Sequence, residues 1–346
     1  MKLLKDQDAS LGPLKGKAVA VLGYGNQGRA QALNLRDSGV HVIVGNRDDK
    51  YREQAATDGF MPMSILDAAT QGDILIIVTT DESQPRIWNE QIAPGVKPGN
   101  TLVWASGYNI GYDLIRPAAD VDVIMIAPRM TGNMVRVMFE QGTGALAQFA
   151  VHQDATGHAR ETCLALCKGM GLTRGGVFES TFREEAELDL FAEQVVWAGL
   201  TAWFVECFEI GVEHGFSPEL MVMELYASGE AAEILGMMSK RGFFKQMTHH
   251  STTSQYGTLS RGPRLIMDEM RQKAREFLRK DIKEGAFVRE WSSEQDQGEG
   301  RLEALKKKAL SHPMSQAEDA VIAMIQAAHS SAPPKSAASN AEVGRK

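Results

Sequence analysis

The sequence predicts an α/β chain in two parts: a Rossmann-type, doubly wound parallel sheet and then an all-α domain. Three observations carry this. The 346 residues exceed what one core usually spans, so two domains are expected. Through the first half, short apolar runs alternate with helical patterns, which marks parallel βαβ units. From Glu184 to about Ala328 no run reads as a strand, and helical periods take over. These place a sheet domain at 1–181, a helical domain at 182–328 and a disordered tail at 329–346.

In order, AVAVLGYG reads as a strand, Gln27 to Ser38 as a helix and HVIVGN as a second strand. YREQAATDG and SILDAATQG are helices, and DILIIVTT, TLVWASG, DVIMIAPR and GALAQFAVH are four further strands. The second half offers helices in EEAELDLFAEQVVWAGLTAWFVECFEIGVEHG, SPELMVMELYASGEAAEILGMMS, GPRLIMDEMRQKAREFLRKDIKEG and AEDAVIAMIQAAH. Ser217-Pro218 is an N-cap followed by an N1 proline. The terminal SSAPPKSAASNAEVGRK has Val343 as its single large apolar residue, so no packed structure is expected there.

A net charge of −7 and a pI near 5.7 argue against nucleic acid or an anionic membrane as partner. No segment reads as a long uninterrupted apolar span, and the N-terminus is too polar for a secretory signal. Cys163, Cys167 and Cys207 cannot pair completely, which fits a reducing cytoplasm. Cys163 and Cys167 are spaced i, i+4; buried free thiols are the simpler reading, a metal pair the sharper one.

Gly23, Gly25 and Gly28 form G-x-G-x-x-G between the first strand and the first helix. That context makes the motif informative: the glycines permit a tight turn, close backbone approach to a pyrophosphate and close helix–strand packing. The helix start supplies unpaired N–H groups to the anion. The second strand ends without the acid typical of NAD sites; Gly45 and Asn46 stand there instead. Arg47 follows, with Lys50 and Arg52 nearby, and a guanidinium favours the 2′-phosphate of NADPH. Asp48 and Asp49 oppose that phosphate, which keeps NADH as the alternative.

In REEAELDLFAEQ, Glu185, Asp189 and Glu193 fall at i, i+4, i+8, on one helix face. Leu188, Leu190, Phe191 and Ala192 between them suggest a largely buried helix. Buried aligned carboxylates are costly unless a hard cation such as Mg2+ relieves them; a solvated acidic edge is the bland reading. On a later helix Glu224 and Ser228 share a face, while Glu230 points elsewhere.

These residues together resemble the ketol-acid reductoisomerase family in its short-chain form, over about residues 2–328. The likeness runs through GYGNQGRAQALNLRDSGV, VTTDESQP, VDVIMIAPR, AVHQDATGHARE, ESTFREEAELDLFAEQ and SQYG, in the family's order. The resemblance implies an NADPH-binding first domain and a knotted helical second domain. It implies a two-step reaction on a 2-hydroxy-3-keto acid: alkyl migration promoted by two Mg2+ ions, then hydride reduction. Tyr24, Gly25, Asn26 and Gln27 would hold the pyrophosphate and Arg47 the ribose phosphate; Asp81 to Gln84 and Gly132 would line the rest of the cofactor site. Asp189 would bridge the metals and Glu193 bind one, with Glu224 reaching in from a neighbouring subunit of a homodimer or larger assembly. Ser251 would hydrogen-bond the substrate carboxylate.

The departures cluster at the catalytic positions. Where the family reads A-H-G-F-N this chain reads ASGYN, so Ser106 replaces a histidine and a proton shuttle is lost. In PRMTGN, Arg129 replaces a lysine, keeping the charge but not a proton that leaves. Ser228 replaces the second glutamate of the acidic pair on the later helix, which weakens the second metal site by one charge, and STTSQYG lacks two acids of the family's S-D-T-A-E-Y-G near the substrate. His249 and His250 either substitute for what was lost or are ordinary surface residues. Three readings follow: the family reaction in a rearranged site, reduction of another 2-keto acid without migration, or a non-catalytic NADPH-binding protein. A lysine-dependent β-hydroxyacid-dehydrogenase-like reductase is disfavoured, because Glu184 to Gly199 holds no lysine.

Overall fold

The computed structural model describes residues 2–330. Its described residues form two compact units: 2–191 with Asp281–Ser292, and Ala192–Lys280 with 293–330. The sequence boundary at 181 thus differs from the division of the fold. The stretch Asp281–Ser292 joins the first unit because Ile282 and Val288 are buried there, Tyr112 donates to the Ile282 carbonyl at 3.0 Å and Arg183 to that of Lys283.

The first unit is built on an eight-stranded sheet: β1 (Leu3–Leu4), β2 (Ala18–Leu22), β3 (His41–Gly45), β4 (Ile74–Ile77), β5 (Thr101–Trp104), β6 (Asp122–Pro128), β7 (Ala147–Gln153) and β8 (Val177–Glu179), in the order β1-β8-β7-β6-β5-β4-β2-β3. Successive residues feed opposite faces, as strand geometry requires. Val19, Val21, Ile74 and Ile76 pack into one core layer, and Ala20, Leu22, Leu75 and Ile77 into the other. β4 is buried on both faces, so its ILII run carries no alternation.

The sheet is mixed rather than wholly parallel. β2 through β6 pair in parallel, but β7 runs antiparallel to β6 and β1 antiparallel to β8. The connection from β6 to β7 leaves and returns at one end of the sheet, and the Arg129 N–H donates to the Leu146 carbonyl at 2.8 Å to extend the ladder. Its helix, Gly132–Glu140, has the same period whether it crosses over or turns back, so sequence reads both alike. β1 and β8 are too short to give a periodic signal.

Helix α1 (Asn26–Asp37) follows the glycine turn; α2 (Lys50–Thr57) and α3 (Ile65–Gln71) follow β3. Asp49 caps α2 by accepting from Tyr51 and Arg52 N–H, and Ser64 caps α3 through Asp67 N–H.

The second unit is helical throughout its described residues. Phe208, Val222, Met314, Ala317 and Val321 form its core, and the Phe204 and Tyr226 rings stack at 6.0 Å. Ser217 caps the helix Pro218–Val222 as expected, accepting from Leu220 N–H at 3.2 Å. The helix Pro313–Ser330 runs past the expected start of the tail at 329; the rest of that tail lies outside the described residues.

The helical run Phe182–Glu213 is long and apolar enough, by length and composition only, to cross a membrane, but charged residues, Glu193 and Glu206 among them, interrupt it, as the sequence reading expects. One expectation needs correction. The acidic helix is not largely buried: Leu188 is 53% exposed, and Val196 and Trp197 are each 52% exposed. Only one face, with Phe182, Glu185, Ala186 and Leu190, packs inward.

Candidate active site

The glycine turn has the geometry of an anion cradle. Gly23 adopts φ +102°, a conformation that disfavours any side chain, and its N–H donates to the Gly45 carbonyl at 2.8 Å. A Cβ on Gly28 would stand 2.1 Å from the Gly23 carbonyl oxygen, so α1 meets the strand as closely as the motif requires. Nothing lies within 4 Å of where a Gly25 Cβ would stand, so the approach to the backbone there is open. A pyrophosphate therefore fits these residues.

A second helix start lies beside the first. A Cβ on Gly132 would be 2.0 Å from the Asn26 carbonyl oxygen, which excludes any side chain there. The Asn133 N–H donates to Asn26 Oδ1 at 2.8 Å, and Gln27 Nε2 donates to the Met130 carbonyl at 2.9 Å. Gly23, Gly25, Asn26, Gln27, Gly28 and Gly132 are thus brought together. Tyr24 is turned inward, 1% exposed, with its hydroxyl donating to Asp58 at 3.0 Å.

The residues after β3 form their own network. Asn46 Oδ1 accepts the Tyr24 N–H at 2.9 Å. Arg47 Nε donates to Asp49 Oδ2 at 2.6 Å, with Arg47 largely exposed. The same Asp49 caps α2, and its carboxyl is held below the usual range against the opposing cost of burial. So one of the two acids that opposed NADPH in the sequence reading, Asp49, is turned onto Arg47 and the helix start. Lys50 lies over the Tyr51 ring at 5.1 Å, and Arg52 donates to the Pro62 carbonyl at 3.3 Å.

At the ends of β4 and β5, Gln84 ties the two loops together. Its Nε2 donates to the Thr79 carbonyl and to Asp81 Oδ1; its Oε1 accepts from Trp104 Nε1 at 3.1 Å and Asn109 Nδ2 at 2.9 Å. Ser106 Oγ accepts the Tyr108 N–H at 3.2 Å.

Beside these loops stands the first acid of the aligned set, to which the sequence reading gave no role of its own. Glu185 is 2% exposed; it accepts the Gly107 N–H at 2.6 Å and Arg129 Nη1 at 2.9 Å. Burial, the largest influence, lifts its carboxyl from 4.5 to about 7; the Asp189 charge adds to the rise, while Gly107 N–H and Arg129 oppose it. Arg129 Nη2 reaches Asp189 Oδ1 at 2.5 Å, so one guanidinium bridges two carboxylates. Nothing in the spacing marks Glu185 as the enclosed member of the three; Gly107 and Arg129, which close over it, come from distant parts of the chain.

In the second unit, Glu193 opens a π-helical stretch, Ala192–Trp197, where the α-helical step no longer holds and the i, i+8 rule does not apply. Glu224 lies exposed in another, Met223–Ala227, with Ser228 at its end. Ser251 caps the helix Thr252–Leu265 by accepting the Ser254 N–H at 3.2 Å. His249 pairs with Arg241, and His250 with Gln246 at 2.8 Å. Among the described residues no three His, Cys, Asp or Glu side chains converge as a metal set within the chain. The acids offered by the sequence are nevertheless hard oxygen donors, and Asp189, Glu193 and Glu224 are at least partly open to solvent.

Comparison with known proteins accounts for both halves. Residues 13–176 match the acetohydroxy acid isomeroreductase NADPH-binding domain, and residues 182–327 match the ketol-acid reductoisomerase C-terminal domain. Ketol-acid reductoisomerase (NADP(+)) of Pyrobaculum islandicum is 44% identical over 315 residues, 90% of this chain and 94% of the relative. The Pyrobaculum calidifontis enzyme of the same name is also 44% identical, over 90% of this chain and 95% of its own. A solved NADH-preferring ketol-acid reductoisomerase from an uncultured archaeon superposes with a TM-score of 0.88 at 36% identity, covering 93% of this chain and 98% of that one. The chain belongs to the ketol-acid reductoisomerase family.

Proposed function

We propose that this chain is an NADPH- and Mg2+-dependent ketol-acid reductoisomerase, acting on 2-acetolactate-type 2-hydroxy-3-keto acids. The observation that carries the reading is the match along both halves of the chain, joined to a glycine cradle that fits a pyrophosphate.

The roles follow the family's pattern. Gly25, Asn26, Gln27 and Gly132 take the pyrophosphate at two helix starts. Arg47, with Lys50 and Arg52 near it, takes the 2′-phosphate; its largely exposed side chain supports this. Asp81 and Gln84 line the nicotinamide side. Asp189 and Glu193 take Mg2+, and Glu224 serves the same centre in a neighbouring subunit. The bound cation polarises substrate oxygens as a Lewis acid. Ser228 and Ser251 face the substrate. Arg129 holds Asp189 in place and supplies a fixed positive charge, while Glu185 anchors the loop that carries Ser106 through the Gly107 N–H. The exposed Trp197, Trp203, Ile210 and Phe216 support a homodimer or larger assembly, since so many large apolar side chains rarely stay open on a monomer. Three free cysteines, two of them buried, support a reducing, cytoplasmic setting.

One observation favours a second reading. Histidine and one glutamate are gone at Ser106 and Ser228, and Arg129 already neutralises the acids at the centre. Alkyl migration leans hardest on two metals, so a reductase that has lost migration would look like this. The test is NADPH oxidation with Mg2+ on 2-acetolactate and on 3-hydroxy-3-methyl-2-oxobutanoate, side by side. Turnover of both supports the reductoisomerase; turnover of the second alone supports the reductase. Turnover of neither, with tight NADPH binding, sinks both.

A further inference from the structure

Among the described residues, five buried side-chain polar atoms lack a hydrogen-bond partner, and three of them follow two neighbouring strands. They are Thr79 Oγ1 after β4, and Tyr108 Oη and Asn109 Oδ1 after β5. β4 and β5 are adjacent parallel strands, and the carboxyl ends of such strands are where doubly wound sheets bind their ligands. A folded chain rarely leaves enclosed donors or acceptors unpaired, because each costs stability; several of them close together in the fold mark a place where a ligand completes the bonding.

Tyr108 is the informative member. It lies in the ASGYN string that put Ser106 in place of a histidine, and it puts a hydroxyl where the family's A-H-G-F-N has phenylalanine. Its position is fixed from several sides. Its N–H is bound by Ser106 Oγ, the preceding Gly107 N–H by Glu185, and its ring rests against Tyr112 at 5.5 Å between centroids. Tyr112 is itself pinned, with Arg183 stacked over its ring at 4.1 Å and its hydroxyl bonded to the Ile282 carbonyl. The Tyr108 hydroxyl is thus a preorganised donor with nothing in the protein to donate to.

We propose that Tyr108 is a catalytic residue of the reduction step: its hydroxyl donates a hydrogen bond to the substrate carbonyl oxygen that becomes the alcohol. This rests on the reduction half of the proposed function and deepens it. In that step the carbonyl carbon gains the hydride given up by the dihydronicotinamide, forming a C–H bond as the C=O π bond breaks. The electron pair passes to oxygen, which then takes a proton from solvent water. Tyr108 stays a phenol throughout, because burial, with the Asp81 and Tyr112 charges adding to it, raises its ionisation above the usual tyrosine range. It therefore stabilises the charge that develops on oxygen and shuttles no proton.

The experiment compares wild type with Tyr108→Phe on NADPH and 3-hydroxy-3-methyl-2-oxobutanoate. The expected loss is about 100-fold in kcat, the usual cost of one donor aimed at a developing oxyanion. NADPH Kd should be unchanged, and the variant should be as stable as wild type or more so, since it sheds an unpaired buried hydroxyl. If wild type turns over and the variant matches it, the proposed function stands and the role of Tyr108 falls. If the variant keeps kcat but binds NADPH weakly, the hydroxyl serves the cofactor and the inference is overturned. A destabilised variant overturns it too, because the hydroxyl then has a partner in the protein. If wild type reduces neither keto acid, the proposed function falls and this inference with it.

Discussion

Glu185→Gln isolates the most perturbed acid of the candidate site. Burial raises the Glu185 carboxyl from 4.5 to about 7, with Asp189 adding to the rise and the Gly107 N–H and Arg129 reducing it. A raised acid favours folding where it is protonated. Its contribution is complete below about pH 4.5 and is lost as pH climbs through about 7. The shift corresponds to about 3 kcal/mol, most of it falling between pH 5 and pH 8. Glutamine keeps the shape and one acceptor but cannot ionise. The assay is urea unfolding of both proteins at pH 5 and pH 8, without added divalent cation, read as the difference of differences so that other titrating groups cancel. Relative to wild type, the variant should gain about 2.5 kcal/mol on going from pH 5 to pH 8. An equal pH dependence in both proteins would refute the argument, and with it the claim that Glu185 is enclosed rather than solvated.

Arg129→Met removes the guanidinium shared by Glu185 and Asp189. With Arg129 and Asp189 both more than a third exposed, the loss should be about 1–2 kcal/mol in chemical unfolding at pH 8 and smaller at pH 5, where Glu185 carries its proton. Gly132→Ala drives a Cβ into the Asn26 carbonyl 2.0 Å away; it should weaken NADPH binding, followed by fluorescence titration, by at least about tenfold and destabilise the first unit by about 1–3 kcal/mol. Asp189→Asn should abolish Mg2+-dependent turnover while leaving NADPH affinity nearly intact; surviving turnover would remove Asp189 from the metal role. Ser217→Ala should cost about 1 kcal/mol of stability through its lost cap, with no effect on kcat.

The sequence by itself determined the glycine cradle and the six longer strands, because their signals are local. A buried parallel strand needs a run of apolar side chains, and the turn needs Gly23 at a positive φ and Gly28 where no Cβ fits. It determined the helical second half for the same reason: period and caps such as Ser217 are written within a few residues. It also exposed the departures at Ser106, Arg129 and Ser228, which are matters of residue identity. Direction and depth were decided by tertiary structure alone. Whether β7 runs with or against β6 depends on where the returning chain packs, which the period of the intervening helix does not encode. That Glu185, rather than all three aligned acids, is the enclosed carboxylate follows from Gly107 and Arg129, 78 and 56 residues away in sequence, closing over it. The unpaired hydroxyl of Tyr108 is likewise invisible in the string ASGYN, because a missing partner is a property of the surroundings and not of the residue.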